Sequence, residues 1–313
     1  MSAGMLKNAV PTHWLVWVMG SCLMASQLMA GSDTSTQAGA PPVRMAISDT
    51  VVTGVNLSDA RAAMSVWTRE VLKTIGLEPA PNEEWVMPSS ELLAAIRAGK
   101  LDLFCVTVQE YRQVAPYIDT SRIITDNQGG DELLLVVREG SGITNLAGLR
   151  GRSLIVWANP RTSLAEAWLN LALGQEGLAS LDQSLGRMTS SAKLSQVVLP
   201  LFFGQADACV VTRGGLDTMV ELNPQLSRKL KVLLASPKMY SAFLAFHRNY
   251  PNELKGPIFD RFLGLKSAPA TDQILALFQS SGFRAQDAAC LGTANALLDA
   301  YERRRPPTAG RKR

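Results

Sequence analysis

Apolar residues fall in short, β-branched runs that alternate with stretches of helical spacing along most of the chain. Val43 to Ile47 predicts a first strand, and Ser48 to Asn56 a polar loop after it. Ser58-Asp59 opens a helix with Ala62, Val66, Val71 and Leu72 on one face, closed by Gly76. Trp85-Val86-Met87 reads as the second strand. Ser89, Leu92, Leu93 and Ile96 give the next helix, ended by Gly99. Leu101 to Val106 is a third strand, followed by a polar break and a helix near Tyr111. That βαβαβα order predicts a mostly parallel sheet with helices on its faces.

Gly129 to Arg138 is a long extended run, and Ser141 to Leu149 a polar connector. A second series follows: strand Ser153 to Trp157, helix from Ser163, strand Gly186 to Met188, helix Ala192 to Phe203, strand Ala208 to Val211. Leu230 to Leu234 and Phe243 to Phe246 are late strands that return the chain to the first lobe. An internal echo joins the halves. Gly99-Lys100-Leu101-Asp102 and Gly204-Gln205-Ala206-Asp207 each close a helix at glycine and lead through Asp into a Cys-Val strand. The expectation is two α/β lobes joined by extended crossovers.

The stretch Ser153 to Trp168 concentrates the candidate chemistry. A buried strand turns through Asn159-Pro160 and restarts as a helix at Thr162-Ser163, where Ser163 and Glu166 have capping-box spacing. A strand running through a polar turn into a helix start gathers free backbone N–H groups and two hydroxyls, a seat for an anion or a polar ligand. Plain helix capping is the competing explanation of Thr162 and Ser163.

The ends change the picture of charge. Residues 1–30 carry Lys7 alone, then the apolar run Trp14 to Met24 and small residues to Ala30, which reads as a signal peptide cleaved near Ala30. Met19-Gly20-Ser21-Cys22 is a loose lipobox, the less favoured alternative in which Cys22 bears a lipid. Residues 31–42 are a flexible lead-in, 43–134 with 236–300 one lobe, 135–235 the other, and 301–313 a basic disordered tail. The formal charge of +4 includes +1 from Lys7 and +6 from the last eleven residues, so the body carries −3. An acidic body without a basic, aromatic-interleaved stripe argues against nucleic acid as a partner.

Other chemistries find little support. Cys105, Cys209 and Cys290 are too few and too scattered for a disulfide framework. His13 and His247 are the only histidines, and no cluster has metal-ligand spacing. No G-x-S-x-G elbow accompanies His247, which reads as a polar residue at a strand end. Asp102, Glu110 and Glu83-Glu84 read as solvated faces. No metal, no cofactor and no enzymatic activity are expected.

The helix-glycine-Asp-strand units, the run DELLLVVREGSGITNLAGLRGRSLIV and the later ELNPQLSRKLKVLLASP together resemble the periplasmic solute-binding proteins of phosphate/phosphite/phosphonate ABC importers, over about Val43 to Phe283. The resemblance implies an α/β, two-lobed periplasmic-binding-protein-like fold of type II. Each lobe would be a mostly parallel sheet flanked by helices, joined by extended hinge strands, with a small ligand held between them. The family's phosph(on)ate loop D-P-x-S-T-S-G falls on Asn159, Pro160, Arg161, Thr162, Ser163, Leu164 and Ala165, so its last Ser and Gly are replaced. Thr107 opens the segment matching G-P-x-x-Y, with Tyr111 at the aromatic. The family's second-lobe His falls on Leu194 beside Lys193, and an acid falls on Thr212, followed by Arg213.

The candidate ligand set is therefore Thr162, Ser163, Asn159, Arg161, Tyr111, Thr107, Thr212 and Arg213, with Thr53 on the loop after the first strand. The expected ligand is a small anionic or zwitterionic solute, a phosphorus oxyanion being slightly favoured. The expected partner of a monomeric, exported protein is an ABC permease. A membrane sensor reading the same lobes is the alternative, separated from the first by whether an ATPase–permease pair or a histidine kinase is encoded nearby.

Overall fold

The computed structural model describes residues 42–52, 85–126, 129–264 and 282–304, with isolated positions between 58 and 73 and position 275. The expected signal peptide, nearly all of the lead-in, most of the helix from Ser58, and Thr53 lie outside the described residues.

Two sheets carry the fold. The first has the order β11-β4-β10-β3-β1-β2, built from β1 (Met45–Ser48), β2 (Val86–Met87), β3 (Leu103–Thr107), β4 (Ile123–Asp126), β10 (Ala242–Phe246) and β11 (Phe283–Gln286). The second has the order β7-β6-β8-β5-β9, built from β5 (Leu133–Arg138), β6 (Ser153–Trp157), β7 (Arg187–Ser191), β8 (Ala208–Thr212) and β9 (Leu230–Ala235). Helices α1 (Ser89–Arg97), α2 (Val108–Val114), α3 (Ala165–Gln175), α4 (Ser195–Phe202), α5 (Arg213–Leu222), α6 (Asn252–Leu263) and α7 (Gly292–Arg304) pack around them.

Both sheets are mixed, where a mostly parallel arrangement is expected from the βαβ order. Strand β1 runs parallel to β2 and β3, and β6 parallel to β7 and β8. Strands β10, β11, β5 and β9 pair antiparallel. Connectivity accounts for β5 and β10, which enter their sheets directly from the other lobe, need no helical crossover and run against their neighbours. β4 and β11 escape the sequence pattern because one is a four-residue strand and the other exposes part of its length.

Strand β8 is buried throughout and β5 up to its last residue, which is why both read as unbroken apolar runs. One buried cluster runs from Phe104 and Phe243 through Leu135 and Leu154 to Trp168 and Leu298. Each fully buried Leu or Phe in it contributes about 1.5–3 kcal/mol.

The two chain passages between the lobes pair with each other. Asp131 N donates to Met239 O at 2.7 Å, and Met239 N returns to Asp131 O at 2.9 Å. Gly130 has φ +85°, and a Cβ there would lie 2.7 Å from the Met239 carbonyl carbon. Only glycine accommodates both the left-handed backbone and that approach.

The basic end begins later than expected. Tyr301 to Arg304 complete α7, whose last turn holds Arg303 and Arg304 where cations favour the helix dipole. Helix α7 packs on α3, and Arg112 of α2 pairs with its Asp299 and Glu302 at 2.6 and 2.8 Å.

Candidate functional site

A cavity of about 650 Å³ lies between the turns that follow β1 and β3 on one side and the turn after β6 with the strand β7 on the other. One side presents Thr50, Thr107, Gln109 and Glu110; the other presents Asn159, Thr162, Ser163, Glu166 and the end of β7 at Thr189-Ser190. Strand ends meeting helix starts are where an α/β sheet offers a ligand site.

The first wall is organised on Glu110. Strand β3 ends at Thr107, which caps α2: Thr107 Oγ1 accepts from Glu110 N, and Glu110 Oε2 accepts from Thr107 N at 2.8 Å, a closed capping box. Thr107 Oγ1 also donates to Oε2 at 3.0 Å. Oε1 accepts from Ser48 Oγ and, at 3.1 Å, from Thr50 Oγ1. Glu110 is 4% exposed, so this carboxylate is an internal anion held by the strand-end residues of β1 and β3 and not part of a solvated face. Burial and the Glu110 charge push the neighbouring Cys105 thiol up to about 12.

The second wall departs from the expected capping box. Asn159 caps a short 3-10 turn, Pro160–Thr162, its Oδ1 accepting from Arg161 N at 3.0 Å. Ser163 already has helical dihedrals (φ −58°, ψ −24°), and α3 starts at Ala165 behind Leu164 with no side-chain cap. An N-cap residue needs extended backbone, so Ser163 cannot cap. The Asn159-Pro160 pair starts the helical turn too early for it. Thr162 is 4% exposed, and its hydroxyl donates to Trp157 O and, at 2.9 Å, to Asn159 O. Ser163 remains exposed at the cavity, and its carbonyl accepts from Gln109 Nε2 of the opposite wall at 3.1 Å.

The remaining expected ligands lie elsewhere. Arg161 pairs with Asp131 at 2.8 Å and approaches Asp126 at 4.0 Å, tying the turn to the interlobe passage. Burial raises the Asp131 pKa despite the Arg161 charge that lowers it. Thr212 caps α5 by accepting from Gly215 N, and Arg213 bonds Glu132, whose carboxyl it holds low. Tyr111 packs edge-on against Phe243 at 5.4 Å. None of these four lines the cavity. His247 is buried just past β10, its pKa lowered by burial, and its Nδ1 accepts from Asn249 N at 3.2 Å.

A family model described as ABC transporter, phosphonate, periplasmic substrate-binding protein matches residues 86–291, from β2 to the turn before α7. The chain belongs to that family. As a periplasmic substrate-binding protein of this kind it has the solute-binding role of the family, which is one of transport proteins, not enzymes. No curated protein matches it by sequence.

Solved structures share its fold. A binding protein component of an ABC phosphonate transporter from Pseudomonas aeruginosa aligns at 16% identity and TM-score 0.56, over 84% of this chain and 87% of that one. A Xanthomonas citri protein bound to ATP aligns at 15% identity and TM-score 0.59, over 84% and 98%. A Prochlorococcus marinus protein in complex with methylphosphonate aligns at 14% identity and TM-score 0.57, over 84% and 99%.

Against the sequence expectations, the cavity keeps Asn159, Thr162, Ser163 and Thr107. Glu110, Gln109 and Thr50 line the cavity as well and are not in the expected ligand set. The signal was present for Glu110, since Thr107-x-x-Glu110 after an apolar strand is itself a capping box.

Proposed function

We propose that this exported protein captures a small polar solute in the cleft between its lobes and delivers it, as a monomer, to an ABC permease. The observation that carries the reading is the cavity built from both lobes and bridged by the Gln109–Ser163 bond. Contacts available only when the walls approach are the contacts by which a ligand shifts lobes toward closure. The backbone N–H groups at the uncapped start of α3, with the Ser163 hydroxyl beside them, offer donors to the anionic part of that solute. The first lobe comprises 43–134 with 236–300 and the second 135–235, and residues 1–30 are the export signal. The protein has no catalytic activity of its own in this reading, and no nucleic-acid partner.

The test is to purify the exported protein, denature it, and identify released solute by mass spectrometry. The refolded protein is then titrated with that solute. One-to-one binding at micromolar or tighter affinity is the expected result. Absence of any solute that binds one-to-one overturns the reading.

A further inference from the structure

The cleft's two walls differ in what they offer a ligand, and the difference lies in where the protons are. A hydroxyl carries one proton. Thr107 gives its proton to Glu110 Oε2, and Ser48 gives its own to Oε1. Thr50 Oγ1 lies 3.1 Å from Glu110 Oε1 and 2.8 Å from Ser48 Oγ, beside the same carboxylate. What Thr107, on the cavity wall, has left for a visitor is therefore a lone pair and no proton. Gln109 adds another acceptor. Its Nε2 is committed to the Ser163 carbonyl, which can only accept, and this orients the amide so that Oε1 is the other end. That Oε1 is buried and without a hydrogen-bond partner among the described residues.

Charge points the same way. Among the described residues lining the cavity, the charged ones are Glu110 and Glu166, both acids. The two guanidinium groups expected at the site sit instead on Asp131 and Glu132. Among the described residues lining the cavity, a bare phosphorus oxyanion would meet the N–H groups and the hydroxyl at the start of α3 but no cationic side chain to offset the two carboxylates.

We infer that the solute carries a protonated amine, which the first-lobe wall of Glu110, its hydroxyls and Gln109 Oε1 recognises, and that the cleft discriminates against the same anion without the amine. The inference rests on the solute-binding reading above and names the chemical class its ligand belongs to. Glu110 acts through charge and by orienting the hydroxyls; Gln109 Oε1 is the direct acceptor.

Isothermal titration at pH 7 with three matched pairs tests it: β-alanine and propionate, 2-aminoethylphosphonate and ethylphosphonate, taurine and ethanesulfonate. In the best-binding pair the amine-bearing member is expected to bind at least about 30-fold tighter, by the strength of charged hydrogen bonds. Glu110→Gln, which preserves the capping geometry, should cut that ratio to about threefold or less. Should Glu110→Gln not fold by circular dichroism, Gln109→Leu decides, with an expected fall in the ratio of about fivefold or more. Equal affinity within a pair, preference for the amine-free member, or a preference untouched by the folded variants overturns the inference. No heat from any of the six overturns it too, and leaves the closing-cleft reading to the solute released from the native protein. A released solute that lacks an amine sinks the inference and keeps that reading.

Discussion

Gln109 Nε2 donates to the carbonyl oxygen of Ser163 at 3.1 Å, joining the first turn of α2 to the turn before α3 across the cleft. This bond can exist only while the walls are close. Gln109→Ala should therefore populate the open form. We expect the dissociation constant for the bound solute to rise at least about tenfold, since the variant loses both the bridging bond and the Oε1 acceptor of the solute's amine. The radius of gyration of the solute-free protein by small-angle scattering should increase with it. An unchanged radius and affinity would separate the bond from closure.

Thr162 and Ser163 are neighbours with opposite expected roles. Ser163 is exposed and lines the cavity, so Ser163→Ala should weaken binding by about 1–3 kcal/mol if its hydroxyl meets a charged group, and leave stability almost untouched. The Thr162 hydroxyl is buried on two carbonyls, so Thr162→Val should cost about 1–3 kcal/mol of stability by leaving buried acceptors unmet. Titration calorimetry and urea unfolding on both variants separate the two. A binding change for Ser163→Ala below the error of the titration returns that residue to the surface.

Arg161 is paired with Asp131 and is not among the residues lining the cavity. Its side chain is 12% exposed and that of Asp131 is 10% exposed, so Arg161→Met leaves a buried carboxylate without its cation, at a cost of about 3–5 kcal/mol. The cost should depend on pH. Burial already raises the Asp131 pKa, and losing Arg161 raises it further. The folded variant then holds a proton that the unfolded chain releases above about pH 4, so its stability rises as pH falls. Denaturation of Arg161→Met at pH 7 and pH 5 should show a smaller deficit at pH 5. A deficit independent of pH would remove Asp131 from the account.

The thiols should be inert in the native state. Burial pushes Cys105 and Cys209 up to about 12 and Cys290 up to about 11, so thiolate, the reacting form, is scarce at neutral pH. Iodoacetamide at pH 8 followed by intact mass analysis should leave these three unmodified until denaturant is added. Rapid native labelling of Cys105 would mean that the Glu110 wall opens on the same timescale.

How much of this was legible in the sequence depends on range. Strands buried on both faces, such as β5 and β8, announce themselves locally, and so does the polar turn after β6. The capping-box pattern occurs twice beside the cleft, at Thr107/Glu110 and at Ser163/Glu166. It is realised only in the first, because Asn159-Pro160 pre-empts the second by starting its own helical turn. The fate of the cations was not legible. Arg161 and Arg213 find carboxylates 30 and 81 residues away, and only the folded interlobe passage brings Asp131 and Glu132 to them. Local rules locate the turn; long-range pairing decides which of its side chains stay available.

The seating of α7 has a mechanical consequence. This terminal segment follows β11 of the first sheet, is gripped by Arg112 of α2, and lies along α3, and both of those helices start at the cleft. Any swing that parts the mouth must therefore slide or roll α3 against a rod anchored on the opposite half. The two backbone passages would then not set the travel alone: a third tether at the rear would make the gape a matter of leverage, through a helix that lines no part of the cavity.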